Sequence, residues 1–104
     1  MTEDHEVDKD ALRADVDRRI SEIRSRMDAL DTRLVALLNE RASCAREIGH
    51  LKDTVGLEVY QPHREIEVLG HVRDENRGPL DGDAITRLFE RIIDEARRLE
   101  RSTE

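Results

Sequence analysis

The chain reads as an all-α fold: three helices, one very long, in an intertwined helical homodimer. Three observations lead there. One apolar stripe runs through Ile20, Ile23, Met27, Leu30, Leu34, Leu37, Arg41, Cys44, Ile48, Leu51 and Val55 in alternating steps of three and four. That is the spacing of a single amphipathic helix. Tyr60 and Phe89 are the only aromatics in 104 residues, while 41% of the chain is charged. Such a composition suits a helical bundle with an aliphatic core. Lastly, no alternating strand pattern and no internal repeat interrupts the helical periodicity.

The elements follow in order. At 104 residues the chain is one domain at most. Residues 1–10 read as a disordered acidic tail, and residues 11–104 as the helical domain. The first helix is expected to begin between Asp10 and Arg19, with Leu12 and Val16 extending the stripe upstream. It runs to about Thr54, and Gly56 fits the left-handed residue just past a helix end. A loop over 57–61 follows, and Pro62 suits the first turn of the second helix. That helix carries Ile66, Leu69 and Val72 on one side and fades before Gly78-Pro79. Asp81 or Asp83 can cap the third helix; its stripe is Ile85, Leu88, Phe89, Ile92, Ala96 and Leu99.

The length of the first helix decides the assembly. From Ile20 to Val55 it spans about 53 Å, whereas a compact globule of this size is roughly 33 Å across. Its apolar stripe would stand bare beyond the globule, and such a patch calls for cover by another chain. A two-fold homodimer is the simplest solution. The second and third helices, end to end, match the first in length and could run back along it.

Charge and composition exclude several roles. A formal net charge of −7 argues against nucleic acid, which needs a basic face. An anionic substrate stays open, because a cleft can oppose the net sign. No stretch approaches the ~20 apolar residues of a membrane span, and the first ten residues lack the apolar run of a secretion signal. Cys44 is the single cysteine and reads as a small core residue rather than a nucleophile. The expected location is the cytoplasm. His5, His50, His63 and His71 form no metal pattern, since His63 and His71 are eight apart rather than three or four. No glycine-rich phosphate loop and no serine–histidine–acid arrangement is visible, so neither metal nor cofactor is expected.

What remains is cationic. Arg41 interrupts the apolar stripe, and burying a guanidinium without a partner costs several kcal/mol. Lys52 lies eleven residues on, rotated by only about 20° and displaced by roughly 16 Å, so the two long side chains could converge on a small anion. The alternative is that Arg41 snorkels or sets register in a helix pair and Lys52 is solvated. Arg64 and Glu65 open the second helix, where a carboxylate is favourable for structural reasons alone. Glu100 closes the third, where a carboxylate is usually disfavoured, a hint of another role. Arg24 is about 25 Å from Arg41 along one helix, too far for one small metabolite unless a second, antiparallel chain brings it near. Such parts suit a reaction that needs only orientation and electrostatic stabilisation.

The order of these segments resembles a known family. Ile23-Arg24, Met27-Asp28-Ala29-Leu30-Asp31, Leu37-Leu38-Asn39-Glu40-Arg41, Ile48-Gly49-His50-Leu51-Lys52, Pro62-His63-Arg64-Glu65 and Ile85-Thr86-Arg87-Leu88-Phe89 look like the all-helical AroQ class of chorismate mutase, over about residues 20–100. The resemblance implies three helices per chain, an intertwined dimer with two equivalent sites, and rearrangement of the dianion chorismate to prephenate, a step in aromatic amino acid biosynthesis. It implies that Arg41 binds one carboxylate and Arg24 of the opposite subunit the other. Lys52 would donate to the ether oxygen and a carboxylate, Glu65 would accept from the ring hydroxyl, and Arg64 would support the carboxylate environment. Gln61 stands where the best-known members carry an aspartate, Ala96 where some carry a serine, and Glu100 where members carry glutamine or glutamate on the ether oxygen. A carboxylate there would repel the growing negative charge, whereas its protonated form would donate to it, so activity is expected to fall as pH rises.

Two other readings fit the same residues: an isochorismate pyruvate lyase on the same scaffold, and a non-catalytic helical dimerisation module. The resemblance also admits a partner enzyme of the same pathway.

Overall fold

A computed structural model describes the backbone of residues 2–102 and the side chains of residues 8–102. It contains three helices: α1 (Thr2–Val55), α2 (Pro62–Glu75) and α3 (Gly82–Arg101). No strand occurs among the described residues. α1 begins well before the expected window of Asp10 to Arg19. Asp8, Lys9 and Asp10 belong to it rather than to an irregular tail, while the side chains of residues 1–7 lie outside those described. The chain up to Ile48 contains neither glycine nor proline, so nothing breaks the helix. Arg19 pairs with Asp15 at 2.9 Å and Arg18 with Glu22 at 3.2 Å. Exposed pairs at this spacing add about 0.3–0.5 kcal/mol each.

The chain divides into two units, residues 1–37 and 38–104. The described part of the first is a single stretch of α1. Its stripe is uncovered: Ile23, Met27, Leu30 and Leu34 are each about half exposed. The second unit holds the remainder of α1 with α2 and α3. Its α1 segment ends in a paired glycine cap. Gly56 takes φ +70°, its N–H donates to Asp53 O at 3.4 Å, and the Leu57 N–H donates to Lys52 O at 2.9 Å. A left-handed residue at this position satisfies two helix-end carbonyls.

The turn between α2 and α3 is tied by side chains. The Arg73 guanidinium donates to Thr86 Oγ1 at 2.7 Å and to Gly82 O at 3.0 Å. Asn76 Nδ2 donates to Leu80 O at 2.7 Å and its Oδ1 accepts from Gly78 N at 3.1 Å. Asp81, not Asp83, is the cap of α3: its Oδ1 accepts from Ala84 N at 2.8 Å. These bonds seat α2 against α3 and so fix the first turn of one relative to the last turns of the other.

The aliphatic core that composition calls for is almost absent from a single chain. Ala45 is the one buried hydrophobic side chain among the described residues. Cys44, expected as a core residue, is exposed. The apolar side chains exist at helical spacing, but within one chain most face water. No helix among the described residues is long and apolar enough to cross a membrane.

Candidate active site

The second unit contains a cleft of about 220 Å³ between its three helices. α1 supplies Arg41, which is half-buried, together with Cys44 and Ile48. Gln61 contributes from the end of the loop, and Arg64 and Glu65 from the first turn of α2. α3 contributes Ile93, Ala96, Arg97 and Glu100, which recur at helical spacing on one face. Of the expected site residues, Arg41, Gln61, Arg64, Glu65 and Glu100 therefore meet in one place.

Lys52 joins them through its partner. Its Nζ lies 3.0 Å from Glu100 Oε2 and 3.1 Å from Val59 O. Both side chains of this ion pair are only 13% exposed, so water screens it far less than a surface pair. Two residues 48 apart in the chain are thereby fixed against each other. Arg24 lies in the first unit, is exposed, and does not line this cleft.

Glu65 is also paired. Its Oε1 meets Arg97 Nη2, and the Arg97 guanidinium carbon sits 4.6 Å over the centroid of the Tyr60 ring. Asp94, more than half exposed, adds a looser contact to Arg97 at 3.9 Å. Arg97 and Tyr60 were not anticipated from the sequence. The signal was the i, i+3, i+4, i+7 pattern of Ile93, Ala96, Arg97 and Glu100, masked by the neighbouring stripe of Ile92, Ala96 and Leu99.

The electrostatics are distinctive. Arg41, Arg64 and Arg97 face Glu65 and Glu100 in the cleft wall. With the ammonium of Lys52 the set carries a formal +2 inside a chain of net −7. Each carboxylate already has its own cation. Arg41 and Arg64 have no carboxylate partner among the described residues. Two guanidiniums thus remain to receive anionic groups, while walls such as Ile48, Val59, Val68 and Ile93 are apolar. An organic dianion with an apolar body matches that lining. A second hollow, about 620 Å³, lies along Leu38, Ala42, Ile92 and Leu99; Arg41 borders it too, with Glu95 and its partners Arg91 and Arg98, but neither Glu65 nor Glu100 does.

The family described as chorismate mutase type II is matched over residues 23–101, which include every residue of the charged set. The chain belongs to the type II chorismate mutase family. A solved chorismate mutase from Thermus thermophilus superposes with a TM-score of 0.78 at 36% identity, over 80% of this chain and 94% of that one. The bifunctional chorismate mutase/prephenate dehydratase of Neisseria gonorrhoeae is 40% identical over 86 residues, covering 83% of this chain and 23% of its own length. The corresponding protein of Pseudomonas aeruginosa is 39% identical over 98 residues, covering 89% and 25%. This chain therefore spans about a quarter of the length of these bifunctional relatives. The first unit is matched only from residue 23 onward, so the match reaches Arg24 but not the upstream turns of α1.

Proposed function

We propose that this chain is a chorismate mutase, converting chorismate to prephenate by orientation and electrostatic stabilisation alone. The observation that carries the reading is the set of charged side chains around one cleft, formally +2 once Lys52 behind Glu100 is counted, with Arg41 and Arg64 lacking a carboxylate partner among the described residues, in a member of this family. The reaction is intramolecular. A C–O bond breaks as a C–C bond forms, and no proton or electron leaves the substrate. The site must hold an extended dianion in a chair-like conformer and meet the charge that grows on its ether oxygen. Holding the reacting ends together replaces an entropy cost otherwise met in solution.

Arg41 takes one substrate carboxylate, with Arg64 beside it. Lys52 faces the ether oxygen and a carboxylate; an interaction that strengthens as charge develops raises kcat. Glu65 accepts from the ring hydroxyl, and Glu100 acts at the ether oxygen. Gln61 lines the same wall and can hydrogen-bond without adding charge. Arg24 comes from a second chain.

A homodimer is part of this reading. The single chain exposes 8791 Å², against about 6,000 Å² for a folded monomer of its mass. Exposed apolar side chains along α1 and the hollow at Leu38, Ala42, Ile92 and Leu99 supply self-complementary surface. Leu34→Glu, which puts a charge on a half-exposed stripe position, is expected to turn a two-chain species into one of single-chain mass by analytical ultracentrifugation, with loss of activity. The dehydratase segment of the bifunctional relatives makes a prephenate-consuming enzyme a natural functional partner. With one cysteine and no membrane-crossing helix among the described residues, the cytoplasm is the compartment we assign.

The test is consumption of chorismate with identification of the product. Prephenate is expected from the wild-type chain. Arg41→Ala is expected to raise KM and cut kcat/KM by about 10²-fold or more, as loss of a desolvated charge-assisted contact does, with the dimer intact. Cleavage of isochorismate in its place, or an intact dimer inert towards chorismate, would refute the assignment.

A further inference from the structure

We propose that Arg97 is a positioning residue for Glu65: it holds one oxygen of that carboxylate and leaves the other to accept the ring hydroxyl of the substrate. The proposal rests on the mutase reading and concerns the same cleft.

The geometry isolates Arg97 from the other arginines of its helix. Arg91 and Arg98 are 70% and 73% exposed and pair with Glu95 inside α3, as solvated helix residues do. Arg97 points the other way. It is 23% exposed and reaches across to Glu65, 27% exposed, in the first turn of α2. The guanidinium plane is further fixed by the Tyr60 ring beneath it, a stacking arrangement that arginine makes well. Three elements thus converge on one carboxylate: the loop before α2, α2 itself and α3.

The reason to hold Glu65 lies in its neighbours. Arg41 and Arg64 line the same cleft. A glutamate with free rotamers would be drawn to the Arg41 guanidinium across the cleft, consuming both the hydroxyl acceptor and a cation needed for the dianion; Arg64, the adjacent residue in the helix, does not face it. A carboxylate offers about four acceptor sites on two oxygens. Arg97 occupies Oε1, so Oε2 remains available, already oriented. The ordering entropy of a long side chain is then met in the folded protein rather than at binding. A second consequence concerns charge: Arg97 neutralises Glu65 locally, so that the acceptor does not repel the substrate carboxylates.

The test is a double-mutant cycle in purified dimer. Arg97→Met keeps an unbranched stem but removes the charge. It is expected to lower kcat/KM for chorismate about tenfold, since a misplaced group costs up to ~10²-fold. In a Glu65→Gln background the same change is expected to add less than about twofold, because no carboxylate remains to be held. Arg97→Lys keeps the charge but loses the planar stack on Tyr60, so it is expected to fall between wild type and Arg97→Met; it also serves if the Met variant does not fold. Equal losses in both backgrounds, an unaffected Met variant, or a Lys variant as impaired as Met with its fold intact would each overturn the proposal. A wild-type chain that leaves chorismate unchanged would overturn the mutase reading and this one with it. An active wild type with an indifferent Arg97 would overturn this one alone.

Discussion

Lys52→Ala is expected to lower kcat by about 10²–10³-fold, the usual loss when a preorganised donor to a developing oxyanion is removed. KM should move less, because the largest part of the Lys52 contribution appears only as the C–O bond lengthens. The structure makes the ammonium effective in three ways. It sits in the last turn of α1, where a cation is favourable. Val59 O anchors it without a competing charge. Its side chain is only 13% exposed, so little solvent screens it. The same burial complicates the variant, because truncation removes the ammonium that faces the Glu100 carboxylate and costs stability. The Lys52→Met/Glu100→Gln double variant separates the two effects: neither new side chain is charged. It is expected to melt closer to wild type than Lys52→Ala while remaining slow. Recovery of kcat to within about tenfold of wild type in a folded protein would remove Lys52 from the ether oxygen.

Much of the fold is visible in local chemistry. The three–four stripe, Gly56 at the end of α1, Pro62 at the start of α2 and Asp81 before α3 mark helix boundaries through mechanisms confined to a few residues. The start of α1 is not marked this way. Upstream of Leu12 apolar residues are sparse, so an apolar stripe does not mark where the helix begins; farther along, pairs such as Asp15 with Arg19 add support that a search for an apolar face does not register. The charged site is legible as a list of residues but not as a pattern of pairing. Lys52 with Glu100 and Glu65 with Arg97 join residues far apart in sequence. Only the seating of α2 and α3 brings them together. Arg97 was hidden for a further reason. It stands one position past Ala96, on the margin of the α3 stripe, and a residue there reads as solvated until a partner element is placed opposite it.

Glu100→Gln is expected to match or exceed the wild-type kcat for chorismate. Glu100 is faced by Lys52 and Arg41 from α1 and shares the cleft with Arg64 and Glu65 from α2 and Arg97 from its own helix. In the ionised form it pairs with Lys52 and offers no proton. Both facts oppose the reaction: a negative group lies where negative charge must grow, and the ammonium that should meet that charge is shared. A glutamine there is a neutral donor and leaves the Lys52 ammonium free to meet the ether oxygen. The same change removes the carboxylate that holds Lys52, so KM and the melting temperature report what the ion pair contributes to positioning and stability. The measurement is kcat and KM for both proteins at one pH, with melting recorded to exclude unfolding. A kcat about tenfold or more below wild type in a folded glutamine variant would show that the carboxylate itself is needed and leave Glu100 a structural partner of Lys52.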